Sequence, residues 1–309
     1  MMLYLLRRLA AVIPIMFGLA CLVFFLLHLI PGDPVEVMLG EAAHPAEKEA
    51  LRRALGLHLP LHTQLWHYVQ GLVMFDFGTS IFSGRPILDI LLERLPATIE
   101  LGVAALAVAV MMAVPFGVLA AVRHKTVIDF GAMGFSLLGM SIPNFWLGPL
   151  LILIGAVWLG WFPVSGREGW RSLILPALTL GVSMAAILSR MVRSSLLEVI
   201  REDYIRTARA KGLAEWTVIV RHGLRTALLP VLTLLGLQLG ALLSGAVITE
   251  TIFAWPGIGS LTVEAIQRRD YPVVQAAVLW ISFLYVVVNA FTDVLYAWLD
   301  PRVRTEESP

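Results

Sequence analysis

The chain of 309 residues carries little charge, because only 15% of its residues are Asp, Glu, Lys or Arg. A soluble globular domain has about 25% charged residues, and 58% of this chain is hydrophobic, so the composition indicates a membrane protein. The single cysteine, Cys21, lies in an apolar run and excludes an intramolecular disulfide framework. The chain contains no phosphate-binding pattern GxxxxGK[ST]. If ATP drives this protein, hydrolysis must take place on another polypeptide.

Six apolar segments are long enough to cross a bilayer core about 30 Å thick. They are approximately Leu9–Ile30, Ala97–Val122, Gly131–Leu159, Leu173–Met191, Leu228–Thr249 and Val273–Leu299. We interpret the first as a retained span, because it is too long for a signal peptide and no small-residue cleavage site follows. The third contains Pro143 and Gly148 and is either a kinked helix or a hairpin that crosses twice. We favour one kinked crossing, because a hairpin would place the basic segment 190–226 outside.

The distribution of charge orients the chain. With both termini inside, the largest inside loop holds eight basic residues, while the outside regions hold many acids. The basic residues of that loop are Arg190, Arg193, Arg201, Arg206, Arg209, Lys211, Arg221 and Arg225. We therefore predict that the N- and C-termini are cytoplasmic.

The outside segment 31–95 has helical patterns of its own. Pro45–Leu55 predicts a helix that begins with proline and is followed by Gly56. A second helix is predicted over His62–Phe75, which carries apolar residues at helical spacing. Together these patterns predict a small helical cap on the outer membrane face.

Polar side chains within the spans are candidates for a transport path, because each is costly in hydrocarbon. They are Asn144, Gln238, Ser244, Asn289 and Asp293. Hydrogen bonding between helices is the alternative explanation, and only Asp293 is an acid well inside a span, which argues against proton coupling. On the outer segment, His58 and His62 are spaced as metal ligands could be, but Pro60 interrupts the helix and favours a solvated surface.

A short basic helix is predicted between two long apolar segments, over residues 203–212. Asp203 is the predicted N-cap, and Gly212 is suited to the left-handed residue after the end. Such a helix has about eight residues, and isolated helices shorter than about 12 residues are marginal in water, so something must hold it in place.

This helix either adsorbs to anionic lipid or fits a socket on a soluble protein. Ala208 and Ala210 make the helix thin enough for close approach, and a second helical segment is predicted at once, over Glu215–His222. A helix that binds lipid would instead present bulky apolar residues on one face. The pattern favours the protein socket.

These residues resemble a known signature. Arg206–Leu213, followed by residues 222–225 and Leu229-Pro230, looks like the coupling loop of bacterial ABC importer permeases. The general pattern begins Glu-Ala-Ala, whereas this chain has Arg206 and Thr207 at the first two positions, and its Leu-Pro comes five residues later. The B-type permeases of dipeptide, oligopeptide, nickel and glutathione importers show the same departure. Further matching stretches are Arg7-Arg8-Leu9, Pro31-Gly32-Asp33-Pro34, Leu55-Gly56-Leu57, Asp76-Phe77-Gly78, Glu250–Gly259 and Arg269–Pro272.

The resemblance implies an all-α membrane protein with six transmembrane helices in the type I ABC importer permease fold. Residues 1–95 would form an N-terminal span with the outer cap, and residues 96–302 the permease domain, with the coupling loop at 196–226 and a tail at 303–309. The implied partners are a second homologous permease, two cytoplasmic ATPase subunits, an external substrate-binding protein and the lipid bilayer, with no nucleic acid. The implied location is the bacterial inner membrane.

The resemblance also assigns roles to residues, none of them catalytic and none holding a cofactor. The residues that would contact the ATPase are Arg206, Thr207, Ala208, Arg209, Ala210, Lys211, Gly212 and Leu213. An outer turn facing the binding protein or the pore falls to Trp255, Pro256 and Gly257. The mechanism implied is alternating access driven by the ATPase.

The cargo stays open at the level of sequence. Dipeptides or oligopeptides are the main expectation, and the short loop Gly160–Arg171 leaves nickel or glutathione as alternatives, because several dipeptide members of the family carry an insertion there. A different class of protein is an ion-coupled secondary transporter that uses Asp293. A membrane enzyme is a further alternative, and no nucleophile–base pair or metal-ligand spacing in the sequence supports it.

Overall fold

The computed structural model describes residues 2–29, 35, 39, 44–54 and 56–299. Nearly all of this part is helical, and its one extended pairing is an isolated bridge between Thr79 and Pro86. The helices are α1 (Met2–Leu29), α2 (Pro45–Ala54), α3 (Leu61–Val73), α4 (Ile87–Val122), α5 (Val127–Ser141), α6 (Asn144–Leu151), α7 (Trp170–Val199), α8 (Asp203–Ala210), α9 (Glu215–Thr217), α10 (Leu224–Ile252), α11 (Ile258–Gln267) and α12 (Tyr271–Leu299). Two π-helical segments are Ile152–Trp158 and Val218–Gly223. The predicted all-α class is confirmed.

The helices group into two compact units. The first unit contains the described residues up to Ala97 together with Pro256–Val286, and the second contains Thr98–Trp255 and the described residues from Val287 to Leu299. Helices α4 and α12 contribute residues to both units, because each unit boundary falls within them.

The core of the first unit lies between α4, α11 and α12. Its buried side chains include Ile87, Leu91, Ile258, Leu261 and Ala277. Helix α11 begins after Gly257, whose backbone N–H donates to Ser260 Oγ at 3.1 Å. This bond satisfies a donor that the start of the helix would otherwise leave free.

Asp270 fastens the loop that precedes α4 within the first unit. Its carboxylate accepts hydrogen bonds from Ser80 Oγ at 2.5 Å and from the backbone N–H groups of Ile81 at 3.2 Å and Phe82 at 3.3 Å. Arg268 lies over the Phe82 ring, 4.5 Å from its centre. Asp270 is buried, so these three donors replace the water that its carboxylate has lost.

Helices α2 and α3 match the two helices predicted outside the spans, with ends that differ by one or two residues. Gly56 follows α2 with a φ of 68°, a left-handed conformation that favours glycine. The helical pattern of this segment is therefore confirmed, while its place on the outer face of the membrane stays a prediction.

Glycines let α4 and α7 approach closely in the second unit. A Cβ atom on Gly117 would lie 2.6 Å from Val192 Cβ, and one on Gly181 would lie 2.6 Å from Val108 Cγ1. Neither separation leaves room for a side chain. Small residues at such crossings are typical of packed membrane helices, which gain stability from close backbone approach.

The third predicted span is broken at Pro143, as its sequence indicates. Helix α5 ends at Ser141, Ile142 is extended as residues before proline usually are, and α6 begins at Asn144. The axes on the two sides of the break differ by 106°. The interpretation as one kinked helix is wrong, because two consecutive residues leave the helical conformation and separate two helices. A single crossing by this segment stays a prediction.

Each of the six predicted spans falls on a helix or on this bent pair. Four helical stretches of the described chain are long and apolar enough to cross a membrane, namely Ile87–Val122, Trp170–Val199, Glu215–Gly240 and Tyr271–Ala290. The bent pair adds a fifth if it counts as one crossing, and Val12–Phe25 is a shorter apolar stretch of α1. Six crossings are compatible with these helices.

We predict that Gly181→Ala destabilises the second unit by about 1–3 kcal/mol, because the added methyl group overlaps Val108 and the carbonyl oxygen of Ala105. Gly134→Ala on α5 is the matched control, since no heavy atom lies within 4 Å of the added Cβ in the described structure. Thermal unfolding in detergent should give a lower Tm for Gly181→Ala and an unchanged or higher Tm for the control. Equal Tm values for the two variants would contradict this packing.

Candidate functional site

Helix α8 lies between two long helices, where the sequence predicts a short basic helix. It spans Asp203–Ala210, and its N-cap is Glu202, whose backbone is extended. The prediction of Asp203 as N-cap is therefore wrong by one residue, because Asp203 is already helical and its carboxylate lies 3.5 Å from Arg206. Gly212 has a φ of 76°, which confirms its predicted left-handed conformation.

Two side chains anchor α8 to the second unit. Ile205 and Ala208, three residues apart on one face, are buried in a core that includes Leu196 and Val199 of α7 and Val218 of the second π-helix. Full burial of an isoleucine side chain contributes roughly 2 kcal/mol. The support that the sequence requires for so short a helix thus comes from the chain itself. Ala208 faces this core and is not part of the exposed surface.

The opposite side of α8 is exposed and positively charged. The Arg206 side chain is 75% exposed, and Lys211 is exposed beside it. Arg209 donates to both carboxylate oxygens of Glu215, at 3.1 Å from Nε and 2.6 Å from Nη2, and these bonds raise the pKa of the Arg209 guanidinium. Because Glu215 neutralises Arg209, the charge available to a partner comes mainly from Arg206 and Lys211. We call the exposed residues of 206–213 the basic surface.

Aromatic and apolar side chains adjoin the basic surface. Trp216 is 73% exposed, and Tyr204 and Leu213 are each exposed by more than 40%. The Tyr204 hydroxyl donates to Thr226 Oγ1 at 3.2 Å. Trp and Tyr are enriched among residues that dominate protein interfaces. The sequence analysis missed Trp216, although an aromatic residue in the first turn of the helix predicted after Gly212 was a usable signal.

Helix α9, the π-helix Val218–Gly223 and α10 follow one another without a break over residues 215–252. The helical segment predicted at Glu215–His222 is confirmed, but it continues directly into the fifth predicted span. Val218 belongs to the same buried core as Ile205 of α8. A displacement of α8 can therefore pass directly to a long apolar helix.

A buried ion pair joins α5 to α7 in the same unit. Arg193 donates to Asp129 through Nε at 2.6 Å and through Nη2 at 2.8 Å. Asp129 also accepts from the Lys125 backbone N–H at 2.9 Å and lies 3.2 Å from His124 Nδ1. Such full pairing is what makes a buried carboxylate tolerable. The sequence analysis counted Arg193 only as a basic loop residue and missed Asp129, an acid in the first turn of a helix after a basic loop.

The five candidates for a transport path have different surroundings. Asn144 Oδ1 accepts a hydrogen bond from Ser183 Oγ at 2.6 Å, which is the bonding between helices offered as the alternative explanation. Gln238 on α10 is buried, and its Nε2 meets no hydrogen-bond partner among the described residues. Asn289 on α12 is half-buried. Outside the described part of the chain lie the side chains of Ser244 and Asp293.

The residues assigned to an outer turn, Trp255, Pro256 and Gly257, connect α10 to α11. The Trp255 ring is fully buried, and the Arg167 guanidinium lies 5.8 Å from its centre. Such a ring contributes packing in the second unit and does not present a face at the surface. The structure thus gives Trp255 a structural environment, and a role for Pro256 and Gly257 toward a partner stays a prediction.

Glu250 is a buried acid that the sequence analysis quoted only as the start of a family stretch. Thr98 Oγ1 donates to its Oε1 at 2.7 Å, and its backbone carbonyl accepts the Trp255 N–H at 2.8 Å. Glu250 lies near the end of α10, so from sequence alone it is equally well read as a solvated residue at the membrane interface. Its partner is 152 residues away, which no local pattern reveals.

Comparison with known proteins gives matches along most of the chain. Residues 113–305 match the family model of the inner membrane component of binding-protein-dependent transport systems, and residues 1–102 match the model of the N-terminal part of such components. The glutathione transport system permease protein GsiC of Escherichia coli (strain K12) is 42% identical over 301 residues, which are 97% of this chain and 98% of that protein. GsiC of Salmonella typhi is 43% identical over the same length and coverage.

Two solved transporters share the fold at low sequence identity. The MetNI methionine ABC transporter, in inward-facing conformations, matches with a TM-score of 0.58 and 18% identity over 68% of this chain and 96% of that chain. An amino acid ABC transporter crystallised with histidines matches with a TM-score of 0.52 and 15% identity over 70% of this chain and 94% of that chain. The predicted type I importer permease fold is confirmed by these matches.

We predict that Asp129→Ala lowers the free energy of unfolding by about 1–3 kcal/mol, because it leaves the partly buried Arg193 without its carboxylate partner. Asp203→Ala is the control, since that carboxylate is exposed and its removal should cost less than about 1 kcal/mol. Adding Arg193→Met to Asp129→Ala should recover part of the loss. Chemical denaturation in detergent of the wild type, Asp129→Ala, Arg193→Met and their combination measures the pair as a double-mutant cycle, with Asp203→Ala alongside as the control. Equal stability of the two aspartate variants would refute the buried pair.

Proposed function

Because this chain belongs to the family of inner membrane components of binding-protein-dependent transport systems, we propose that it is one of two permease subunits of an ATP-driven importer. It is a multi-pass inner membrane protein. Its partners in this proposal are a second homologous permease, two cytoplasmic ATPase subunits that hydrolyse ATP, and an external binding protein that delivers the cargo. The two permease subunits form the translocation path, and the ATPases provide the free energy by hydrolysing ATP.

The geometry of α8 gives this proposal its most direct support. Arg206 and Lys211 project from a helix that Ile205 and Ala208 fix to the core, so the charge is held at a defined place. A basic surface on a helix that is fixed to the core is complementary to a cleft with acidic groups on a soluble subunit. When ATP closes the ATPase pair, the cleft moves α8. The continuous helix over residues 215–252 carries that motion into the membrane.

The residues of the basic surface take distinct roles in this proposal. Arg206 and Lys211 provide charge complementarity, and Arg209 stiffens the turn after α8 through its bidentate bond to Glu215. Gly212 provides the left-handed turn. Contacts without charge come from Thr207, Ala210 and Leu213 on the same exposed surface. Ala208 acts as an anchor and not as a contact.

This role fixes the orientation of the protein. A surface that meets cytoplasmic ATPases must lie in the cytoplasm, and with six crossings both termini lie there too. The same orientation puts the helices α2 and α3 outside, where an external binding protein could dock. Labelling of single introduced cysteines by a thiol reagent that cannot cross the membrane would test it from either side.

We propose a small peptide-like cargo, with glutathione as the first compound to test. The support is the 42% identity, along nearly the whole chain, to a permease named for glutathione transport. Dipeptides, oligopeptides and nickel are the other cargoes that this family carries. Competition for uptake among glutathione, dipeptides and Ni²⁺ in cells that produce the whole importer would rank them.

The proposed function and its rival are separated by reconstitution. Proteoliposomes that contain both permeases, the ATPases and the binding protein should take up cargo only when ATP is supplied. Proteoliposomes that contain this chain alone should show no uptake under a proton or sodium gradient. Gradient-driven uptake by the chain alone would establish a secondary transporter instead and overturn the proposal.

We predict that Arg206→Glu combined with Lys211→Glu lowers ATP-dependent uptake at least tenfold, because two like charges then face the acidic cleft. Arg201→Glu combined with Arg221→Glu is the control, since it changes the net charge equally at exposed positions off α8. Uptake into proteoliposomes of the complete importer measures the effect, and the amount of assembled permease is checked in parallel. Similar uptake by the two double variants would contradict docking through the basic surface.

A further inference from the structure

Two adjoining cavities open within the first unit, between α1, α3 and α12. The larger is a groove of about 470 Å³ whose lining is almost entirely apolar. Its lining includes Met16, Phe17, Val73, Leu279, Trp280 and Phe283. Because α1 and α12 are predicted spans, we expect the groove between them to face hydrocarbon on that side.

The smaller cavity, of about 270 Å³, is polar. His67, Asp76 and Gln275 contribute to its lining, and it shares Leu72 and Phe77 with the apolar groove. The two cavities are therefore neighbours that meet at these two side chains. Among the described residues that line the two cavities, Asp76 is the only carboxylate, and neither Lys nor Arg occurs.

The two cavities are ordered along α12 as the two ends of a lipid are ordered in a membrane. The polar cavity meets α12 at residues 272–276, and the groove meets it at 279–283. Seven residues of helix correspond to a shift of about 10 Å along the axis. The polar cavity thus lies at the start of the membrane helix, at the level of head groups, and the groove lies deeper, at the level of acyl chains.

Two residues that line these cavities each carry a buried polar atom without a hydrogen-bond partner in the described part of the chain. Tyr68 Oη of the polar cavity and Trp280 Nε1 of the groove meet no hydrogen-bond partner among the described residues. Burial also raises the pKa of the Tyr68 hydroxyl, which keeps it a donor. Buried donors in native proteins are nearly always paired, so a pair of orphans beside two joined cavities points to a polar ligand.

We propose that this composite site binds one phospholipid with an amine-bearing head group. One acyl chain lies in the groove, and the ester carbonyl at its head accepts a hydrogen bond from Trp280 Nε1. The ammonium group faces Asp76, and phosphate oxygens accept hydrogen bonds from His67, Tyr68 and Gln275. The lone carboxylate selects against anionic lipids, whose head groups offer no cation to it. In the orientation proposed above, the lipid belongs to the outer leaflet.

The polar cavity at one end of the groove favours a lipid over a protein segment. A helix of a partner subunit would be expected to end on an apolar surface and not on a polar cavity. A flexible chain with a polar end fits both cavities at once.

The head-group part of the proposal is tested by lipid titration of the purified, delipidated importer, followed by native mass spectrometry. Phosphatidylethanolamine should bind more tightly than phosphatidylglycerol with the same acyl chains. Asp76→Asn should lower that preference about three- to fivefold, which is the loss expected when a partly exposed ion pair is removed. The asparagine keeps a side-chain oxygen that can accept the hydrogen bond that the Gly78 N–H now donates to Asp76. Asp89→Asn, the charge-matched control outside both cavities, should leave the preference unchanged. A wild-type protein without preference, or Asp76→Asn with full preference, overturns the assignment.

The acyl-chain part is tested by Val73→Gln, which places an amide at the exposed edge of the groove. We expect it to weaken the binding of both lipids several-fold, whereas Val127→Gln, at an equally exposed valine away from the groove, should not. Val73→Cys gives the opposing result if its thiol cross-links to the second permease of the intact importer. That outcome would make the groove a subunit interface and overturn the lipid site.

Discussion

The burial of Ile205 and Ala208 is the interaction on which the basic surface depends. A helix of eight residues is barely stable in water by itself. Two buried side chains fix its position, and the roughly 2 kcal/mol from the isoleucine is comparable to the cost of ordering one or two residues. Arg206 and Lys211 are useful to a partner only because that contact holds their helix in place. A force that a partner applies to α8 is therefore transmitted to this core.

Several helices meet in the core beneath α8, and these are the helices that a force on α8 can displace. Alongside α8 it contains Ala121 of α4, Leu196 of α7 and Ala227 of α10. The Asp129–Arg193 pair adds α5 to the same group through a fork of two short bonds. Packed interiors shift between discrete arrangements and do not deform continuously. We infer that these helices follow α8 together as one body.

The features predictable from sequence were local. Span positions follow from the length of apolar runs, the break at Pro143 from the restriction on the residue before proline, and the end of α8 from Gly212. Apart from Trp216, which had a local signal, the features that were missed depend on tertiary contacts. Arg193 reaches Asp129 across 64 residues, and the burial of Ala208 depends on a neighbouring core that the helix pattern does not contain. The position of the break could be predicted from Pro143, but its angle of 106° could not, because the packing around α5 and α6 sets that angle.

The hydrogen bonds between polar side chains inside the second unit are relevant to the question of which subunit selects the cargo. Asn144 bonds Ser183, Ser136 bonds Ser189, and Thr98 bonds Glu250, so these groups are occupied in holding helices together. A site that discriminates between small polar cargoes needs several convergent polar groups free to bind them. Side chains already engaged with one another are poorly suited to that task, and Gln238, whose buried Nε2 has no partner among the described residues, is the exception. In the importer that we propose, these engaged pairs are consistent with selection of cargo by the separate binding protein.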